Sequence, residues 1–265
     1  MPRSIENCAE WIAEHRLAGQ TLADIPSTLK PGDEDRGYAG QKHLRVLLSK
    51  AGWGPLAGWK VGVTTPGMRS HLGIDHAMLG AMHEHGRFVD GAKVTFGEFT
   101  RLGIECEIAM RLSQPLGDAG AKPVTVEEAR LAVGELYPAI ELVDDRYGGD
   151  YPAMGVPTIA ADCCFHAGFV LGPAVAAWRG IDLGAAIGIT SANGVEQMRG
   201  KGSDVMGNPF ESLVWLANRL AQLGERIEAG QIVLTGSLPI PYWAKANEKI
   251  DISISGLGRA GIELH

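Results

Sequence analysis

Apolar and polar positions follow a helical period at the start of the chain and a strand period over most of the rest. Residues 3–18 predict a helix: Cys8, Ile12 and Leu17 supply its apolar positions, Ser4 stands where an N-cap would, and Gly19 stops the run. A stretch rich in Pro, Gly and charge follows over 26–37, and a second amphipathic helix is predicted over 38–51, closed by Gly52. After Trp53 the pattern changes. Short apolar runs broken by glycine predict strands over 58–64, 101–111, 138–143, 165–171, 187–192, 232–235 and 250–255. Two helices interrupt them. Thr125-Val-Glu-Glu128 is a capping-box pattern that opens a helix to about residue 136. Asn208-Pro209 places a cap and a first-turn proline before a helix over 210–223, which Gly224 ends. Strands in no regular β-α alternation predict an α+β fold with a mostly antiparallel or mixed sheet. The expected organisation is an N-terminal helical subregion, 1–52, and a β-rich core, 53–265, within one domain.

Composition removes whole classes of function. With 45% hydrophobic and 21% charged residues the chain reads as globular, not disordered. At 265 residues it needs no disulfide or metal merely to fold. Its 24 Lys+Arg against 31 Asp+Glu give a net charge of −7 with no basic block, which excludes nucleic acid as the main partner. No apolar run approaches the ~20 residues that span a bilayer. The polar and charged opening residues lack the apolar run of a signal peptide. Cys8, Cys106, Cys163 and Cys164 show no framework spacing, so reduced thiols in the cytoplasm are the expectation. The 36 glycines are about twice the usual ~7%, which points to tight turns or backbone lying close to a ligand.

The most informative segment is Ile104-Glu105-Cys106-Glu107-Ile108. On a strand, Glu105 and Glu107 share one face, where they repel each other unless a positive charge lies between them. Either a divalent cation sits there or the two acids are exposed on a half-solvated strand. Glu141 is a third acid, set in the apolar run Pro138-Ala-Ile-Glu141-Leu-Val, where a lone carboxylate is costly to bury. Three carboxylates make a hard oxygen site suited to Mg²⁺ or Mn²⁺. Asp144 and Asp145 read as supporting or surface groups with Arg146 as partner. His83-Glu84-His85, with His71 and His76 nearby, lacks a third ligand at zinc spacing and reads as a solvated turn followed by a strand. Lys60, between Trp59 and Val61, serves as an acid/base, pairs with an anionic substrate or simply reaches solvent from its strand. Gly256-Leu-Gly258-Arg-Ala-Gly261 matches a dinucleotide fingerprint, but four residues follow it, too few for the βαβ unit; it reads as a turn. Cys163-Cys164 has no base nearby to mark a nucleophile. Ser237 lies outside any nucleophile-elbow pattern, though its glycine-rich loop can offer N–H groups to a carboxylate, which makes it a candidate for substrate binding.

Taken in order, Gly58-Trp-Lys60-Val-Gly-Val-Thr64, the Glu105-x-Glu107 strand, Pro138-Ala-Ile-Glu141-Leu-Val-Asp144, Asn193-Gly194, Gly207-Asn-Pro209 with Trp215-Leu-Ala-Asn218, and Ala229-Gly230-x-Ile-Val-Leu-Thr-Gly-Ser237 resemble the 2-oxopent-4-enoate hydratase family of the fumarylacetoacetate hydrolase superfamily. The resemblance runs from about Gly58 to the C-terminus. It implies a β-rich fold, Mg²⁺ or Mn²⁺ on Glu105, Glu107 and Glu141, and homo-oligomers built on rings. It also implies Lys60 as active-site acid/base and Asp162 beside the site. Two departures stand out: Met78 replaces a usual acid, and Asp162 is followed by Cys163-Cys164-Phe-His166 in place of small polar residues, so the pocket is expected to be altered on those sides. Lys201 stands where small residues are usual and either meets a distal substrate carboxylate or is solvated. The implied reaction is addition of water to a 2-hydroxydienoate, a small 2-oxo acid substrate. Decarboxylation of the 4-oxalocrotonate type and C–C hydrolysis of an acylpyruvate are the alternatives. A non-catalytic role as a binding partner in a complex with a pathway enzyme is a reading from another class.

Overall fold

The computed structural model describes residues 5–265, so Ser4, the expected N-cap, lies outside the described residues. The chain runs α1 (Ile5–Leu17), α2 (Glu34–Leu48), β1 (Leu56–Gly62), α3 (Pro66–Leu72), β2 (Met78–His83), β3 (Arg87–Phe88), β4 (Ala92–Val94) and β5 (Leu102–Leu112). It continues with α4 (Val126–Ala132), β6 (Val133–Asp144), α5 (Tyr151–Met154), α6 (Val156–Ala161), β7 (His166–Leu171), β8 (Ile187–Ala192) and β9 (Val195–Lys201). The last elements are α7 (Pro209–Gln222), β10 (Ile232–Ser237), β11 (Tyr242–Trp243), β12 (Lys249–Ile254) and β13 (Gly258–Leu264).

Two sheets result. The larger is ordered β2-β1-β10-β5-β6-β7-β3, with β11 added to β5. It is mixed: β1 runs parallel to β10, and β3 to β7, while the other pairs are antiparallel. The second sheet, β4-β13-β12-β8-β9, covers one face of the first. Ile104, Cys106 and Ile108 are fully buried, and Cys106 lies against β8 near Gly188 and Leu238. The larger sheet also curls, so that β2 comes near β7 at its other side. That curl brings residues from distant strands onto one inner surface.

Close backbone approach underlies the curl. A Cβ on Gly58 would lie 1.8 Å from the Ile232 carbonyl oxygen, so β1 meets β10 this closely only with glycine. The N-terminal helices are joined to the same core: Cys8, Ile12 and Leu44 belong to it. Gln41 of α2 donates to the Leu79 and Ala160 carbonyls and accepts from the Ala81 N–H. Among the described residues no helix is long and apolar enough to cross a membrane.

Several expected boundaries shift, each for a physical reason. Leu17 is exposed, not part of the buried stripe. Helix α2 begins at Glu34, not at residue 38, because the Asp33 side chain accepts the Arg36 N–H within the stretch rich in Pro, Gly and charge. The Thr125 capping box is present, but α4 ends at Ala132; the next twelve residues pair along β5, and tertiary pairing overrides helix propensity. The C-terminal glycine motif turns as expected, then continues as β13. His83 ends β2 buried, with Nδ1 3.2 Å from the Gly54 carbonyl, and the turn follows the strand instead of preceding it.

Candidate metal centre and its cavity

The pairing of β5 with β6 sets Glu105 directly opposite Glu141, with Glu107 two residues further along the same face. One oxygen from each of the three carboxylates lies within 4.8 Å of the others, the one such metal-capable group among the described residues. Glu107 and Glu141 are completely buried. Glu107 Oε2 accepts the Gly236 N–H at 2.8 Å. That N–H is turned inward by an irregularity in the β10–β5 ladder between Leu234 and Ser237. The glycine-rich loop thus offers its N–H to a protein carboxylate. Glu107 Oε1 and Glu141 Oε2 are buried with no hydrogen-bond partner. Orphaned buried carboxylate oxygens converging on one point are the donor set of a hard divalent cation.

Two side chains neutralise part of this charge. Lys60, 2% exposed, reaches across the curl to place Nζ 3.3 Å from Glu141 Oε1. It occupies a slot kept open by glycine: a Cβ on Gly80 would stand 3.1 Å from the Lys60 Cγ and 2.2 Å from the Cys163 carbonyl oxygen. His166 Nδ1 lies 3.0 Å from the same Glu141 oxygen. Burial lowers the His166 pKa, and because the Glu141 carboxylate can only accept, the proton between them is assigned to Nδ1. Burial pushes Glu141 up, but Lys60 and then His166 more than reverse it and hold its carboxyl below the usual range. Burial is the largest influence on Lys60 and lowers its pKa, but Glu141, Cys164, Glu105 and Glu107 together outweigh burial and hold the pKa above its ordinary value, so the ammonium stays charged. Glu107 is driven well above the carboxylate range by burial, then by Glu141 and Glu105.

A pH dependence follows. Glu105, ordinarily near 4.5, is pushed up to about 7, first by burial and then by Glu141. Between those values the folded chain holds more protons than the unfolded one, so stability falls as pH rises. Glu107 adds to the fall, while depressed Glu141 acts with the opposite sign and loses its contribution on acidification. Buried His166 and His83, whose pKa values are lowered, act with the opposite sign over the same range, so the triad is isolated by comparison with Glu105→Gln. In EDTA, the Tm gained by that substitution is expected to be larger at pH 7 than at pH 5; an equal gain would contradict mutual repulsion in the triad.

The triad stands at the wall of a cavity of about 280 Å³. Lys60, Glu105 and Ser237 line it, with Cys164 and the apolar side chains of Val143, Phe165 and Trp243. Ser237 Oγ is buried without a partner. Burial pushes the Cys164 thiol up to about 11, so it stays protonated.

The expected site residues thus divide. Lys60, Glu105, Glu107, Glu141 and Ser237 are brought together. Asp162 is not at the cavity: its oxygens receive Arg16, Arg146 and the Tyr147 hydroxyl at 3.1–3.2 Å. The same two arginines donate to the His166 carbonyl, so Asp162 acts by holding the segment that carries His166. Lys201 is exposed at the end of β9 in the second sheet, opposite Ile187, and is not among the residues that line the cavity. Met78 is fully buried in β2 and does not line the cavity, which corrects the expected alteration on that side. Asp144, Asp145 and Arg146 are all buried, and Asp145 pairs with Arg101, not with Arg146. Sequence reasoning gave His166 no role, although a histidine opening an apolar strand was the available signal; it expected an N–H from the loop at Ser237 for a carboxylate, and the structure gives that of Gly236 to Glu107.

Comparison with known proteins finds relatives over nearly the full length of the chain. A family model described as fumarylacetoacetate (FAA) hydrolase C-terminal matches residues 81–263. The 2-keto-4-pentenoate hydratase of Burkholderia vietnamiensis (strain G4 / LMG 22486) is 32% identical over 255 residues, 96% of this chain and 95% of that protein. The 2-hydroxyhexa-2,4-dienoate hydratase of Comamonas testosteroni is 30% identical over 98% of this chain and 97% of its own length. Among solved structures, 4-oxalocrotonate decarboxylase from Pseudomonas putida G7, complexed with magnesium and adipate, superposes with a TM-score of 0.91 at 23% identity. That superposition covers 98% of this chain and 97% of that one and establishes a shared fold.

Proposed function

The chain belongs to the fumarylacetoacetate hydrolase family, and from that membership we propose a metal-dependent hydratase. It adds water to a 2-hydroxydienoate of the 2-oxopent-4-enoate type and releases a 4-hydroxy-2-oxo acid. The observation that carries the reading is the buried carboxylate triad with orphaned oxygens, set beside a protonated lysine at the wall of a small cavity. The cavity is close to the lower bound of ~300 Å³ usual for ligand pockets, which suits a substrate of this size.

Glu105, Glu107 and Glu141 would hold the cation, Mg²⁺ or Mn²⁺ by donor chemistry. Bound there, the ion supplies Lewis-acid polarisation of a 2-oxo acid's oxygens. Lys60 lines the cavity and is the group that moves a proton: ketonisation of the dienol places one on carbon C5 and removes one from the C2 hydroxyl. The resulting conjugated ketone accepts water at C4. Ser237, with its unpartnered hydroxyl, orients the substrate from β10. The apolar walls keep bulk water away from the enol.

One observation favours a second reading. Asp145, the one lining acid outside the triad, has its oxygens engaged by the Arg101 guanidinium and the Tyr147 N–H, so the lining holds no free base to aim a water. Decarboxylation of a 4-oxalocrotonate needs none. The two separate cleanly by product. The dienol absorbance of 2-hydroxypenta-2,4-dienoate is expected to vanish with Mg²⁺ present, to persist in EDTA, and to release no CO₂. Persistence with Mg²⁺ and Mn²⁺ alike, together with CO₂ evolution from 4-oxalocrotonate, would replace the hydratase by the decarboxylase. The same membership supports a homo-oligomer, which sedimentation measures.

A further inference from the structure

Strict strand alternation would turn His166 away from Glu141. Along β6 and β7 the register pairs Glu141 with Phe169 and Leu142 with Gly168, so Ala167 is due opposite Val143. His166 stands there instead, through an irregularity between Leu142 and Val143. A slip of one residue carries a side chain to the other face of a sheet. His166 thus joins the face of Glu141 and sets Nδ1 3.0 Å from Glu141 Oε1. Lys60 Nζ lies 3.3 Å from that same oxygen, which leaves Glu141 Oε2 as the one without a partner.

The segment that delivers this slip is strained. Cys163, Cys164 and Phe165 have φ of 55°, 52° and 67°, three consecutive left-handed residues that all carry a Cβ. Such backbone persists only where its surroundings hold it. Two arginines hold it at both ends. Arg16 donates from Nη1 to Asp162 Oδ1 at 3.2 Å and from Nη2 to the His166 carbonyl at 3.0 Å. Arg146 spans the same two groups at 3.1 and 3.2 Å, and its Nε lies 3.4 Å from Asp144, so the four charges balance. Arg16 differs in origin. It comes from α1, 146 and 150 positions from its partners, and its side chain is 3% exposed. Its Nε has no partner, and its guanidinium lies 5.0 Å from the Trp53 ring centroid. Its hydrogen bonding is spent on the two ends of the turn.

We propose that Arg16 is a positioning residue of the metal centre: it holds the bulged entry to β7, which keeps His166 on Glu141 and Glu141 Oε2 turned to the cation. The inference rests on the reading of Glu105, Glu107 and Glu141 as metal ligands, whichever reaction follows. It gives the N-terminal helix a part in the site.

Mn²⁺ binding by the full chain, followed through the electron paramagnetic resonance of the free ion, tests this without turnover. Arg16→Met is expected to raise the Mn²⁺ dissociation constant about 10-fold or more, and His166→Phe likewise, the scale for groups that orient a metal ligand. Because Arg16 acts through His166, the double variant is expected to bind within about 2-fold of His166→Phe alone. Arg16→Lys keeps the charge but lacks the planar fork that spans two acceptors, and is expected to weaken binding as Arg16→Met does. It is read in place of Arg16→Met if that variant does not fold. An Arg16 that only fastens α1 to the core would lower the Tm when replaced and leave the dissociation constant unchanged, which overturns the proposal. Losses that multiply in the double variant overturn it as well. Failure of the unsubstituted chain to bind Mn²⁺ overturns the metal reading, and the proposal with it.

Discussion

A Glu107→Gln chain is expected to lose more than about 100-fold in metal-dependent kcat/KM while unfolding, in EDTA, at a higher temperature than the unsubstituted chain. Even residues that only orient a metal ligand cost 10–100-fold when replaced, so a direct ligand sets a larger loss. The gain in stability has a separate origin. Glu107 is fully buried, with Glu105 and Glu141 beside it, and its raised pKa reports what burial and their repulsion cost the charged form. Glutamine keeps the shape, and its Oε1 can still accept the Gly236 N–H, but it removes the charge. We expect relief of about 1–2 kcal/mol, the lower part of the ~1–4 kcal/mol gained when buried ionic groups are exchanged for well-packed uncharged ones, since here the group removed is repelled by its neighbours. It corresponds to a rise of roughly 2–8 °C in Tm for a chain of this size. Mg²⁺ should raise the Tm of the unsubstituted chain and do little for the variant. A fall in Tm in EDTA would mean that the three carboxylates are already compensated within the protein.

Lys60→Met is expected to abolish turnover as well, with the opposite effect on stability. Loss of a positioned acid/base group lowers rates by about 10²–10⁴-fold. The ammonium is also the main counter-charge of Glu141, 3.3 Å away and fully buried. Breaking a buried pair by removing one partner costs about 3–5 kcal/mol, because it leaves the other charge uncompensated. The metal-free variant should therefore melt on the order of 10 °C lower. Mg²⁺ replaces the missing positive charge and should stabilise this variant more than it stabilises the unsubstituted chain. Activity is then read on the Mg²⁺-loaded, folded protein. Near-normal kcat in that state would remove Lys60 from the proton path. Together the two substitutions distinguish roles that activity alone would merge: both are inactive, but they move the metal-free Tm in opposite directions.

Much of the site was legible because strand alternation is local. Glu105 and Glu107 share a face for the simple reason that side chains repeat every two residues, and no knowledge of neighbouring strands is needed. Glu141 declared itself by being a carboxylate in an apolar run. Helix starts were legible where a side chain caps its own backbone, as Thr125 and Asn208 do. Asp33 does the same for α2, but the sequence pattern predicts that helix only from 38, because charge and glycine obscure the helical period over 34–37.

Partnership was decided only by the tertiary fold. Lys60 sits on β1 and Glu141 on β6, with β10 and β5 between them in the sheet order, and they meet because the sheet curls. The parallel pairing of β1 with β10, and the bulge that aims Gly236 at Glu107, join residues about 130 to 175 positions apart. No local period encodes such a pairing. The same holds for the misplaced residues: Asp162 carries the same charge as the triad, yet Arg16, from the first helix, and Arg146 claim it. Lys201 looks like any glycine-flanked lysine until the strand order puts it in the other sheet. The sequence by itself determined which residues could carry this chemistry, through local alternation and the cost of burying charge. Long-range strand pairing and the curl of the sheet decided which of them meet.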